Sequence, residues 1–308
     1  MISYRTNKFR SADPCVVALG CFDGVHLGHK AVISEAVRIS GEISAKSAVW
    51  TFDAPPRNFF TPSASPIITD RDEKRKLMRE LGIDLFVSVP FDTEMSALSA
   101  RDFFVDILIG KLNAVHIVCG FNYSFGKNGE GNVALLRELC RENGVGLSCV
   151  EPIDIDGVPV SSSVIRSAVE QGDMDTVKKY LGRPYAINTL VINGQKLGRR
   201  LGFPTINQVF KDGILVPRNG VYITRVSISS KKYFGVTNVG VRPTVGGSVL
   251  CAETHILNFS GDLYGQKLRV EFLRFMRPET KFSSVEELSQ RVHLDIAEAK
   301  KIIEQKVL

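Results

Sequence analysis

Residues 16–29 read V-V-A-L-G-C-F-D-G-V-H-L-G-H, and the order of residue types here decides how the first half of the chain is organised. The four opening residues are all apolar. A short run of this kind suits a strand buried on both faces of a parallel sheet. The glycine-containing segment then leaves the strand and leads into helical pattern. Four more apolar runs recur downstream, at 48–52, 85–89, 115–118 and 147–150. Helical segments with recognisable ends lie between them. Asp70 with Glu73 reads as an N-cap pair and Gly82 as the stop. Ser99 reads as the cap of a helix over 101–109. This alternation predicts a doubly wound, Rossmann-like α/β domain.

A short helix capped by Asp173 runs to Tyr180 and meets Gly182-Arg183-Pro184. Glycine just past a helix end and proline soon after are stop signals. The expected boundary therefore lies there, giving domains 1–182 and 183–308. Beyond it the runs at 221–227, 233–239, 252–259 and 268–274 are rich in β-branched and aromatic residues, with turn residues between them. They predict a small antiparallel β-barrel. Ser284 with Glu287 reads as one helix start, and Asp295 with Glu298 as another opening 296–306.

Composition narrows the function classes. The chain has 308 residues, 44% hydrophobic and 23% charged, which fits about two soluble domains. No run of about 18 apolar residues predicts a membrane span, and no apolar segment follows 1–10 as a secretory leader would require. The six cysteines show no C-x-x-C spacing, so reduced buried thiols in a cytoplasmic protein are expected. A net charge of +6 suits anionic partners. The basic residues are spread out, with short clusters at 71–79 and 196–200, and no RNA-stacking motif is present, so nucleotides are favoured over nucleic acid.

Two constellations carry chemistry. The first surrounds 20–29. A helix N-terminus presents N–H groups and a positive dipole end to phosphate. His26 and His29, three apart, read as sharing one helical face, with Gly28 allowing close approach of a nucleotide. Zinc ligation, ordinary core histidines and simple turn glycines remain other readings of the same residues. T-F-D at 51–53, G-F-N-Y-S-F-G at 120–126 and S-S-S-V-I-R at 161–166 accompany it. Hydroxyls and an arginine at a helix start suit pyrophosphate, although Ser161–Ser163 alone would read as a plain N-cap. The second constellation is G-R-R-L-G-F-P-T-I-N at 198–207. Gly198 and Gly202 predict a flexible basic loop. Thr205 and Asn207, two apart in extended chain, point the same way and offer hard oxygen ligands suited to Mg²⁺. The other reading is a proline turn with two ordinary polar residues.

Taken in order, G-x-F-D-G-V-H-x-G-H, T-F-D, G-F-x-x-x-F-G and S-S-S-x-x-R resemble the nucleotidyltransferase half of the bacterial riboflavin kinase/FAD synthetase family. The resemblance implies that His26 and His29 act on the ATP phosphates, lined by Gly20, Phe22, Asp23 and Gly28. It implies Ser162, Ser163 and Arg166 on the triphosphate, and Asn122 and Asp53 on the flavin substrate. G-R-P-Y at 182–185, P-R-N-G-V-Y at 217–222, G-V-T-N-V-G-V-R-P-T at 235–244, E-T-H-I-L-N-F at 253–259, D-L-Y-G at 262–265 and R-P-E-T-K-F at 277–282 resemble the kinase half. There the resemblance implies Mg²⁺–ATP at Thr205 and Asn207, with Gly198 and Gly202 on phosphate. Glu253 would be the general base toward the ribityl 5′-hydroxyl, and Arg277 would sit in a loop closing over the flavin.

The implied reactions are ATP plus riboflavin to FMN and ADP, then ATP plus FMN to FAD and diphosphate. The implied protein is a monomer or weak homo-oligomer with no nucleic-acid or membrane partner. Pro55 stands where the family has a histidine, and Val245 where it has a frequent phenylalanine. The first departure motivates an alternative, an active kinase with a degenerate adenylyltransferase domain. An RNA-binding protein and a non-catalytic flavin carrier are the readings from other classes.

Overall fold

The computed structural model describes residues 1–5, 9–61, 65–194, 197–244 and 247–305. Lys196 of the basic cluster and Val245 therefore lie outside the described residues. The chain forms two compact units, Met1–Ser162 and Ser163–Leu308.

Each apolar run of the first unit becomes a strand. β1 (Ile2–Tyr4), β2 (Cys15–Leu19), β3 (Lys46–Phe52), β4 (Leu85–Val89), β5 (Ala114–Gly120) and β6 (Gly146–Val150) form one parallel sheet in the order β1-β4-β3-β2-β5-β6. All five residues of β2 and of β4 are buried, as strands covered on both faces must be. One core layer gathers Val17, Leu19, Trp50, Val87, Phe104 and Ile117; the other gathers Val16, Ala18, Ile33, Val49, Phe86 and Val118. The alternation along each strand splits these sets between the two faces.

The helices of this unit are α1 (Leu27–Glu42), α2 (Arg57–Phe60), α3 (Arg71–Glu80), α4 (Thr93–Ala97), α5 (Ala100–Asp102) and α6 (Val133–Glu142). Asp70 Oδ1 accepts the Glu73 N–H at 2.9 Å, and Gly82 follows at φ +88°. Ser99 Oγ accepts the Asp102 N–H at 3.0 Å, but the helix it opens soon widens into a π-helix over Phe103–Ile109. A two-stranded ribbon, β7 (Asp154–Ile155) with β8 (Val158–Pro159), precedes the end of the unit.

The second unit opens with α7 (Ser162–Gln171) and α8 (Met174–Leu181). Asp173 caps α8 through the Thr176 N–H, and Gly182 closes it in the left-handed region at φ +66°. α8 packs on the barrel strands β9 (Tyr185–Ile192) and β14 (Lys267–Pro278). The closed barrel runs β10-β13-β12-β11-β14-β9, and its strand pairs are antiparallel. α9 (Leu197–Arg200) precedes β10 (Thr205–Val209); β11 (Gly220–Ile228), β12 (Lys231–Thr244) and β13 (Gly247–Ile256) complete the barrel. Inside it, Thr224, Thr237 and Thr254 satisfy one another at 2.7 and 2.8 Å.

The chain ends in one helix, α10 (Val285–Glu304), capped by Ser284 through the Glu287 N–H at 3.1 Å. The second start expected at Asp295 is not there. Asp295 lies in mid-helix at 2% exposure, where it accepts from Arg277 and Arg291. Arg291, one turn earlier on the same helix, and Arg277 of β14 satisfy the carboxylate that would otherwise cap a new helix.

Candidate functional sites

Sheet order places β2 between β3 and β5, so successive crossovers leave in opposite directions there. Ligands of open α/β sheets bind at the carboxyl ends of strands beside such a switch. The loops after β2 and β5 are those of residues 20–26 and 121–126.

The 20–26 loop is tightly built. Phe22 (φ 48°) and Val25 (φ 44°) occupy the left-handed region, a strained choice for side chains, and for a β-branched one above all. Both are buried. Asp23 Oδ1 accepts from the backbone N–H groups of Ile68 and Thr69 at 2.9 and 3.2 Å, so this carboxylate fixes a neighbouring loop. Ser162 Oγ donates to Asp23 O at 2.9 Å.

His26 is the N-cap of α1 and not part of its face. Its Nδ1 accepts the His29 N–H at 3.2 Å, and the two rings stack at 3.5 Å. With Nδ1 accepting, a neutral imidazole carries its proton on Nε2, which makes that nitrogen the donor. A Cβ on Gly28 would stand 3.3 Å from the His26 ring. The glycine thus seats the imidazole.

Asn122 is exposed in the loop after β5, with its Oδ1 close above Gly120. Asp53, at the end of β3, receives Ser88 Oγ at 2.6 Å and Arg5 Nε at 2.9 Å, with Arg71 Nε at 3.5 Å. Ser163 and Arg166 lie on α7 in the second unit, exposed and buried respectively.

One feature of this edge escaped the motif reading. Phe52, Phe59, Phe60 and Phe91 form edge-to-face contacts at centroid distances of 5.2–5.8 Å, with Phe59 46% and Phe60 59% exposed. Water-exposed aromatic rings at the carboxyl ends of strands offer a platform for a flat apolar ligand. Two adjacent phenylalanines in a short polar stretch were the available signal.

In the barrel, Thr205 and Asn207 share the outer face of β10, while Ile206 and Gln208 turn inward. The register pairs Asn207 with Glu253 of β13, and Glu253 with Asn238 of β12. Arg242 Nη1 donates to Asn207 Oδ1 at 3.2 Å. A Cβ on Gly194 would stand 2.6 Å from Asn207 Nδ2, so the preceding loop lies close over this amide. Burial pushes the Glu253 carboxyl above the usual carboxylate range; Arg242 pulls it back and Glu279 pushes it further. A raised carboxylate that remains able to ionise is suited to accepting a proton.

Gly198 falls in α9, where a Cβ would meet the Phe203 carbonyl at 2.6 Å, and Gly202 follows at φ +87°. The segment is therefore a helical turn closed by a left-handed glycine. Arg277 lies in β14, not in a loop, and its guanidinium is held by Asp295 at 2.7 Å.

Sequence models of two families match the chain: FAD synthetase over residues 8–164 and riboflavin kinase over residues 181–303. The bifunctional riboflavin kinase/FMN adenylyltransferase of Pseudomonas fluorescens is 36% identical, covering 93% of this chain and 92% of that protein. The chain belongs to the bifunctional riboflavin kinase/FMN adenylyltransferase family.

The member from Listeria monocytogenes is 35% identical over 91% of this chain and 90% of its own. A solved structure titled a macrolide-efflux protein from Streptococcus pneumoniae shares the fold, with a TM-score of 0.87 at 28% identity, covering 97% of this chain and 98% of that one. Among the described residues no helix is long and apolar enough to cross a membrane. The FAD synthetase match spans Pro55, so that departure leaves the first half within the family.

Proposed function

We propose that this family member makes FMN from riboflavin in the module 183–308 and FAD from FMN in the module 1–182, in the cytoplasm, as a monomer or weak homo-oligomer. The observation that carries the reading is that His26 and His29 lie in the stretch matched by FAD synthetase, and Thr205, Asn207 and Glu253 in the stretch matched by riboflavin kinase.

In the first module His26 and His29 face the ATP phosphates, and a phosphate oxygen of FMN attacks the α-phosphorus as diphosphate leaves. Nε2–H of His26 donates to charge that grows on the phosphates in the transition state. Ser162 ties the loop through Asp23 O. Gly20, Phe22, Asp23 and Gly28 shape the cradle. The phenylalanine platform takes the isoalloxazine ring, with Asn122 and Asp53 at its edge.

In the second module Glu253 accepts the proton of the ribityl 5′-hydroxyl, whose oxygen attacks the γ-phosphorus as ADP leaves. Thr205 and Asn207 would hold Mg²⁺. The fit is chemical: both offer neutral hard oxygens, and Asn207 Oδ1 keeps a second lone pair beside its bond from Arg242. Mg²⁺ takes its remaining ligands from water and phosphate. When bound, Mg²⁺ supplies neutralisation of the phosphate charge.

The test is a double dissociation in the full chain. His29→Ala abolishes FAD formation and leaves FMN formation nearly intact, and Asn207→Ala does the reverse. Loss of both activities from either change in folded protein would refute separate sites.

A further inference from the structure

We infer that Lys74 is a positioning residue for adenylyl transfer, tying the loop of residues 20–26 and the end of β3 together from behind. The inference rests on the adenylyltransferase reading of the first module and extends it to a residue that touches no substrate.

Lys74 sits in the first turn of α3 and is only 2% exposed. Its Nζ donates to Cys21 O at 2.9 Å and to Phe52 O at 2.9 Å. It makes no ion pair among the described residues; Asp23, Cys21 and Asp53 act on it only at longer range, and burial holds its ammonium below the usual lysine value. The neighbouring inward positions of α3 are Leu77 and Met78. An apolar side chain at 74 would fill the same space without the cost of burying a charge. The lysine is instead spent on two backbone carbonyls, one on each of the loops that carry the proposed nucleotide and flavin contacts.

The local geometry shows what the tie does. The loop is strained at Phe22 and Val25 and needs outside contacts to hold it. Cys21 O receives two donors, Lys74 Nζ and Thr51 Oγ1 at 2.8 Å. In a trans peptide the C=O and N–H point in opposite directions. Drawing Cys21 O toward Lys74 therefore turns the Phe22 N–H away from it. Ser162 does the same for the next-but-one peptide by drawing Asp23 O. The ammonium also places a fixed positive charge behind the loop, in a water-excluded position where it favours negative charge developing on the phosphates.

The experiment compares Lys74→Met and Lys74→Arg in the full chain, measuring kcat and KM for FAD formation from FMN. FMN formation from riboflavin in the same preparation reports folding. Lys74→Met is expected to lower kcat about 100-fold, with KM for FMN within about threefold and kinase turnover within about twofold. Lys74→Arg, which keeps the charge and donors, is expected to recover at least about tenfold of the loss. A Lys74→Met enzyme within about threefold of the wild-type kcat overturns the inference. Equal losses in both variants also overturn it, since they indicate packing alone. Should Lys74→Met lose kinase activity through misfolding, Thr51→Val removes the other donor to Cys21 O. It is expected to lower the FAD-forming kcat at least about fivefold, and an unchanged kcat there counts against the tie. Wild-type protein that makes no FAD would instead defeat the underlying reading.

Discussion

His26 caps the helix that carries His29: the imidazole Nδ1 of the first accepts the backbone N–H of the second at 3.2 Å, with the rings stacked at 3.5 Å. One ring nitrogen is thus committed to structure, and the proposed function gives the other to the phosphates. Capping and catalysis are separable by substitution. His26→Asn keeps a capping oxygen, and a cap change of this kind costs only about 1 kcal/mol at most. It should leave the thermal transition of the first module nearly unmoved while FAD formation falls about 100-fold. A variant that retains FAD synthesis would reduce His26 to a cap.

Glu253 sets a pH dependence for the kinase reaction. Burial raises its carboxyl, Arg242 lowers it and Glu279 raises it again. The base must be ionised to work, so turnover rises as pH climbs through this raised value and is lost below it. Glu279→Gln removes a like charge and should move the acidic limb of the kinase profile to lower pH. Arg242→Gln should move it to higher pH. The pH profile of kcat/KM for riboflavin in the two variants checks both signs, and a limb unmoved in both contradicts the assignment. Glu253→Gln should cut FMN formation by about 100-fold or more with riboflavin binding retained.

Thr205→Ala, which leaves the Asn207 amide in place, should weaken the Mg²⁺ affinity of the FMN-forming reaction. The metal concentration giving half-maximal rate should rise at least about tenfold while FAD formation from supplied FMN stays unchanged. A metal titration of both activities in one preparation is the measurement.

Asp295 is expected to matter for stability and not for chemistry. It is 2% exposed and holds Arg277 and Arg291. Asp295→Ala leaves the largely buried Arg277 unpaired, a loss of about 3 kcal/mol for a broken buried pair. Kinase activity should become more heat-labile, with kcat below the transition little changed. Arg277 makes its ion pair to this helix, besides bonds to Pro278 O and Thr280 Oγ1, so Arg277→Ala should follow the same pattern if its role is to anchor α10.

Much of this architecture was legible from local pattern. The run 85–89 became a strand buried along its whole length, as its mostly apolar sequence predicts, and 147–150 became the half-buried edge strand β6. Asp70, Ser99, Asp173 and Ser284 were legible as caps because a cap is a local hydrogen bond. β1 was not, since Ile2–Tyr4 is three residues long and depends on pairing with β4. Thr205 and Asn207, two apart, read as pointing the same way in extended chain; the barrel register adds that Asn207 lies opposite Glu253. Asp295 with Glu298 reads as a helix start, but the partner that holds its carboxylate inside α10, Arg277, is 18 residues away. The spacing of His26 and His29 predicts a shared helical face, but His26 is the N-cap one position before α1. Lys74 had no motif at all, because its role depends on two carbonyls 22 and 53 residues away.

The most direct test is to incubate the purified protein with riboflavin, ATP and Mg²⁺ and separate the flavins by chromatography. The account predicts that FMN appears first and FAD accumulates from it. FMN without FAD would contradict the adenylyltransferase half, and the absence of both products would contradict the whole.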